Sequence, residues 1–226
     1  TDPRRASGLA AAALQARVLL QNGNYSQAEA KANQVIESGA FSLISNFASI
    51  FTTEGKGNTE SIFEIDFTTN DQNALGAGTN PNTPGQKFYL RSATYNALQA
   101  SAENGDTRFA ATVRIEGSAN RRRLLKYEDA VNNADNVIVI RLAEMYLIRA
   151  EAATRQIADA SSAVPQQVLD DINTVRNRAG LDDLTSLTAA EALTEILKQR
   201  RLEFVGEGLR FIDLRRYNLT CDVLDF

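Results

Sequence analysis

Glu203, Glu207 and Asp213 stand close together near the end of this 226-residue chain. Paired carboxylates are what glycoside hydrolysis needs, one as acid and the other as base or nucleophile. Here, though, they are interleaved with Arg200, Arg201, Arg210, Arg215 and Arg216. A general acid needs a raised pKa, and neighbouring guanidiniums push a carboxyl the other way. Arg200 to Glu203 and Glu203 to Glu207 are i,i+3 and i,i+4 spacings, which put a cation or backbone donor within reach of each glutamate. The segment is therefore read as a structural ion-pair network of Arg200, Arg201, Glu203, Glu207, Arg210 and Asp213, with no catalytic residue. Leu202, Phe204, Val205, Leu209, Phe211, Ile212 and Leu214 give it enough apolar bulk to pack on a core, and Gly206-Glu207-Gly208 marks a bend.

Composition removes several chemistries at once. The chain has no histidine, so Ser-His-Asp triads, Cys-His pairs and histidine-ligated metals are excluded. The single Cys221 forms no internal disulfide and has no metal-ligating company. A net charge of −4 gives nucleic-acid binding no electrostatic support, and Arg121-Arg122-Arg123 reads as a strand or loop edge. No apolar run approaches the roughly 20 residues that span a bilayer. The chain opens on Thr1 without Met or signal peptide and is expected to be an excerpt of a longer protein.

The elements that would position the acidic residues are mostly helical. Residues 6–38 form a helical hairpin: Ala12, Ala13, Ala16, Leu19 and Leu20 share one face, Gly23-Asn24 breaks the helix, and Tyr25, Ala28, Ala32, Val35 and Ile36 line a second one. The Gly23 to Ala32 pattern is that of a tetratricopeptide-like turn and second helix. Residues 61–136 read as a loop-rich, partly β insertion, with strands expected at 61–67 and 122–127, a helix at 92–103 and a Pro/Gly loop at 80–85. A second hairpin spans 137–180, with helices at 138–156 and 164–178, Pro165 in a first turn and Gly180 at the stop. Terminal helices fill 188–217, opened by a Thr188–Glu191 capping box. The fold class is mostly α, tetratricopeptide-like hairpins carrying a partly β insertion.

Two stretches, 141–152 (Arg-Leu-Ala-Glu-Met-Tyr-Leu-Ile-Arg-Ala-Glu-Ala) and 169–181 (Leu-Asp-Asp-Ile-Asn-Thr-Val-Arg-Asn-Arg-Ala-Gly-Leu), resemble consecutive helices of the SusD/RagB family of Bacteroidetes outer-membrane nutrient-binding lipoproteins. The Arg/Glu segment 200–216 is similar to that family's E-R-R-x-E-F-x-x-E-G-x-R-F-x-D-L-R-R series. The resemblance covers most of 5–217 and implies one SusD-like domain fragment, the C-terminal portion of such a protein. It also implies a non-catalytic, lipid-anchored protein on the cell-surface side of the outer membrane. Such a protein holds oligosaccharide or peptide and delivers it to a SusC-like TonB-dependent transporter. The family's lipidated cysteine is not in this chain, and Cys221 lies at the wrong end to serve as one. The alternatives are a helical-repeat scaffold for peptides or proteins and a carboxylate-based hydrolase.

Sugar binding calls for aromatic faces flanked by polar groups. With no Trp in the chain, Phe88, Tyr89, Arg91 and Tyr127 are the expected ligand-binding residues, and Phe88-Tyr89 after the Pro/Gly loop is the expected platform. The competing reading is an ordinary core aromatic at a loop end. The Asp/Asn-rich loops at 70–73 and 132–136 offer oxygen donors suited to Ca²⁺ but lack spaced ligands, so they are read as solvated loops, and no cofactor or metal is expected.

Overall fold

The computed structural model of the protein describes residues 2–84, 86–116 and 121–224. Gly85, at the end of the expected loop, and 117–120 in the expected insertion lie outside the described residues. In chain order come α1 (Gly8–Gln21), α2 (Tyr25–Glu37), two short 3₁₀ turns (Phe47–Phe51, Thr53–Gly55), β1 (Ser61–Ile65) and α3 (Leu75–Thr79). There follow α4 (Ser92–Ala102), α5 (Arg108–Thr112), β2 (Val113–Glu116), β3 (Arg121–Leu124) and β4 (Val137–Arg141). The chain then returns to helices: α6 (Leu142–Arg155), α7 (Gln166–Arg178), α8 (Ala189–Glu203), α9 (Arg210–Arg216) and α10 (Thr220–Val223).

The fold is mostly α, built from tetratricopeptide-like helix pairs around α6. Ser7 caps α1 by accepting the Ala10 N–H at 3.1 Å. Gly23 turns the chain with φ +75°, a left-handed value that costs glycine little. Ala12, Ala13, Ala16, Ala28 and Ala32 are buried, so mostly methyl groups separate α1 from α2 and the backbones approach closely. Helix α6 packs against α1, α2, α7 and α8 and is buried nearly all round. Its apolar residues are therefore not confined to one stripe. At the start of α8 the capping box is formed: Thr188 Oγ1 accepts the Glu191 N–H at 3.3 Å and Glu191 Oε2 accepts the Thr188 N–H at 2.8 Å.

The helix expected from 138 begins instead at Leu142. Val137-Ile-Val-Ile is a β-branched run suited to a pleated surface, and it pairs antiparallel with β1 in a register running from Ser61 opposite Arg141 to Ile65 opposite Val137. A second two-stranded sheet joins β2 to β3, with Arg121, Arg122 and Arg123 along one strand. The Asp/Asn-rich loops are exposed at Asn70, Asp71, Gln72 and Asn132, and they are also stitched together: Asn73 Nδ2 donates to the Asp135 carbonyl at 2.6 Å, and Asn133 Oδ1 accepts the Ala77 N–H at 3.0 Å. Asp135 Oδ2 accepts the Asp129 N–H at 2.8 Å. Their oxygens bind backbone amides instead of converging on one point. Among the described residues no helix is long and apolar enough to cross a membrane.

Because the α1–α2 contact is a methyl-on-backbone fit, Ala28→Leu overpacks it. Its expected cost is about 1–3 kcal/mol of unfolding free energy, read as a lower urea midpoint with unchanged helical circular dichroism.

Candidate functional site

The charged residues of the C-terminal segment do not form a strip along one helix. Helix α8 ends at Glu203, and Gly206 and Gly208 take φ +81° and +80°. Glu207 therefore leaves the helical i,i+4 position and reaches the core from the bend. Glu203 Oε1 accepts from Arg141 at 2.6 Å and also from Arg178, while Oε2 accepts from Arg108 at 3.1 Å. Glu207 accepts from Arg141 at 2.9 Å through both oxygens and from Lys126 at 2.5 Å. Glu60 closes the set, bound to Arg141 at 2.7 Å and Arg178 at 3.0 Å, and Asp106 holds Arg108 at 2.7 Å. Four cations thus face four carboxylates, every side chain 6% exposed or less. Rings of Phe47, Phe51 and Phe204 close over the cations, with Lys126 Nζ 4.5 Å from the Phe51 centroid and the Arg141 guanidinium 4.6 Å from that of Phe204.

Burial opposes ionisation of Glu203, but the guanidiniums of Arg178, Arg141 and Arg108 more than offset it and hold its carboxyl well below the usual range. Burial works against Glu207 too, and Arg141 and Lys126 likewise pull it down. For Lys126 burial prevails, lowering the ammonium to about 8 despite Glu207. Neither glutamate can carry a proton near neutrality, so neither can be the acid of a hydrolase.

A second node braces the helices. Arg200 pairs with Asp213 at 2.9 Å, and with Glu144 at 3.6 Å, and does not touch Glu203 within ion-pair distance. Glu144 also takes Arg17 from α1, at 2.5 Å, and Arg216 reaches Glu151 at 2.7 Å. Arg201 and Arg210, expected among the ion pairs, form none within 4 Å among the described residues. Both are half-buried, and burial lowers the pKa of each, with Arg201 adding to the effect on Arg210 and Asp213 opposing it.

The network positions a cleft. Lys126 Nζ and Arg141 Nη2 donate to the Glu203 carbonyl at 2.7 and 3.0 Å, and Tyr127 Oη donates to the Gly206 carbonyl at 3.2 Å. The bend at 204–209 is thus pinned from beneath. Above, Phe204, Val205, Gly206, Gly208, Arg210 and Phe211 face Tyr89, Leu90, Arg91 and Thr94 across a cleft of about 330 Å³. A side chain at Gly206 would be strained: its φ is positive, and a Cβ would meet Leu124 Cδ2 at 2.5 Å unless that side chain shifted. Tyr89 is 72% exposed and Phe211 52%. Phe88 is half-exposed, its ring against Gly78, whose carbonyl accepts the Lys87 and Phe88 N–H groups at 2.9 Å. Tyr127 departs from the expected surface: it is buried, its hydroxyl serves the Gly206 carbonyl, and burial raises its pKa. It supports the cleft wall and offers no face to a ligand. Phe211 was missed as a cleft residue because its spacing in an apolar series reads as core.

Residues 125–223 match the family model described as the SusD family. Over 279 aligned positions the chain is 27% identical to a SusD-like protein of Formosa agariphila, covering 99% of this chain and 52% of that protein. Among solved structures, the surface glycan-binding protein A of Bacteroides uniformis is 28% identical with a TM-score of 0.73, over 92% of this chain and 49% of the other. A laminarin-binding SusD-like protein is 26% identical with a TM-score of 0.77, over 98% and 57%. The chain therefore spans about half the length of the relatives it matches.

Removing one charge from the core cluster leaves its partners buried and uncompensated. Glu203→Gln is expected to lower unfolding free energy by about 3–5 kcal/mol in urea titration. The folded-state pKa values of Glu203 and Glu207 are depressed, so the stability they contribute is complete above the ordinary glutamate value of 4.5 and is lost as pH falls below it. Urea midpoints of wild type should drop across that acid range, and the drop should be shallower in Glu203→Gln.

Proposed function

We propose that the chain, whose residues 125–223 match the SusD family model, is a member of the SusD/RagB family and forms part of a non-catalytic glycan-binding protein on the cell-surface side of the outer membrane. The observation that carries this reading is the match along nearly the whole chain to solved glycan-binding proteins of the same fold. The cleft supports it chemically. Tyr89 and Phe211 offer exposed aromatic faces for sugar C–H groups, Arg91 and Thr94 offer polar flanks, and a pinned bend keeps the opposite wall still. A wall fixed before binding lowers the ordering cost that a sugar must otherwise overcome. Delivery of the bound oligosaccharide to a SusC-like TonB-dependent transporter, from a lipid-anchored position, is the family's mode of action and completes the proposal. No step of it calls for a cofactor, and the acids that could have done hydrolytic chemistry are neutralised by arginines in the core.

Calorimetric titration of the full-length protein against a panel of polysaccharides and peptides tests the reading. A polysaccharide is expected to bind, and Tyr89→Ala to weaken it by about tenfold with the melting temperature unchanged, because the ring is exposed. Binding of peptides alone, or wild-type affinity in Tyr89→Ala, would sink it.

A further inference from the structure

Among the other described residues, each guanidinium largely withdrawn from water is met by an acid. Arg108, Arg141, Arg149, Arg178, Arg200 and Arg216 each have a carboxylate within 3.1 Å. Some of these heads also carry an unbonded nitrogen, but the charge is answered through the others. Arg201 and Arg210 are the exceptions. Arg201 Nε and Arg210 Nη1 are shut off from solvent and bonded to nothing among the described residues. Neither side chain has an ion-pair partner within 4 Å there, and Arg201 acts on Arg210 as a neighbouring like charge. Asp213 acts on Arg210 only from beyond ion-pair distance and is already paired with Arg200 and Arg216, so two half-buried cations side by side are unfavourable unless something supplies further counter-charge.

Both arginines lie where two clefts meet. One is the 330 Å³ cleft under Tyr89 and Phe211. The other, of about 740 Å³, runs between α4 and α8 past Ser101, Asn104, Thr194 and Lys198. Asp182 lines this second cleft but makes no ion pair within 4 Å with either arginine, and Lys198 is held by Glu195 at 3.7 Å. The junction therefore combines net positive charge, planar donors suited to oxyanions and hydroxyl-bearing walls, continuous with the exposed aromatics.

We propose that Arg201 and Arg210 form an oxyanion subsite that selects glycans bearing carboxylate or sulfate groups, with the sugar chain continuing over Tyr89 and Phe211. This rests on the glycan-binding reading above and deepens it by naming the class of sugar. Uronic acids and sulfate esters present the same chemistry to a guanidinium pair, so the two sources are separated by experiment. A carboxylate from another protein segment would be a different occupant. The continuity of the arginines with the exposed rings favours the sugar.

The test is calorimetry on the full-length protein with three probes of similar length: an oligogalacturonate, a sulfated galactan oligosaccharide and a neutral laminarin oligosaccharide. One or both charged probes should bind about ten- to a hundredfold more tightly than the neutral one, which of them being the identification of the source. The advantage should shrink as NaCl rises and vanish in Arg201→Gln/Arg210→Gln, so that charged and neutral probes bind the variant equally. If the double variant fails to fold, wild type decides. Inorganic sulfate should compete with the charged probe more strongly than chloride at equal ionic strength, and failure to compete would overturn the proposal. Equal affinity for charged and neutral probes overturns it and leaves the glycan reading standing. So does a ligand-free double variant that melts several degrees lower with no charge preference lost, the result expected if a protein carboxylate already fills the site. If no oligosaccharide binds at all, both readings fall.

Discussion

Eight charges placed out of reach of water must cancel, and this requirement governs the C-terminal half of the molecule. Arg141 lies at the centre, touching Glu60, Glu203 and Glu207 through its nitrogens and Phe204 through its face. A cluster of this kind contributes little net stability compared with an apolar core of the same shape, because desolvation offsets most of the attraction. What it contributes is definition. An apolar core tolerates small slips in packing, whereas a guanidinium displaced from its carboxylate leaves a buried charge unanswered.

That definition is transmitted to the surface through main-chain carbonyls. The cations that neutralise Glu203 and Glu207 also donate to the carbonyl of Glu203, and Tyr127 holds that of Gly206. These bonds fix the backbone of a glycine-rich bend that would otherwise have wide conformational freedom. The reverse side of the bend is the wall of the cleft. The most charged part of the sequence is thus an internal support for the cleft wall, and Glu203, Glu207 and Asp213 are not among the residues that line the cleft.

Much of the fold was legible because it depends on local rules. The alanine faces of the first hairpin, the Gly23 turn and the Thr188–Glu191 box are short-range patterns, and each has a direct structural counterpart. The segments that misread involve distant partners. Val137–Arg141 continues a helical pattern on paper, but β1, more than seventy residues earlier, draws it into a sheet. Strand β2 has little signal of its own and exists because β3 lies beside it. The candidate site divides the same way. Glu203, Glu207, Arg200 and Asp213 were recognisable as ion-pairing residues, yet their partners Arg108, Lys126, Arg141, Arg178 and Glu144 come from segments that no spacing rule connects. Tyr127 looked like a binding aromatic because sequence does not reveal which way a ring faces.

The neutral cluster has a kinetic side as well. Its members enter from the residue before β1, the turn into α5 and its first residue, the segment after β3, β4, the end of α7, the end of α8 and the bend after it, with sequence separations of up to 118 between bonded partners. No subset of these segments can dock early and wait, since each brings a charge whose partners arrive on another. Local opening is penalised for the same reason, because lifting any one segment strands ions on the rest. The elements that meet at Arg141 should therefore form and dissolve as one cooperative unit, exchanging their amide hydrogens together, and the α1–α2 hairpin is joined to them less directly, through Arg17 on Glu144 and its packing against α6.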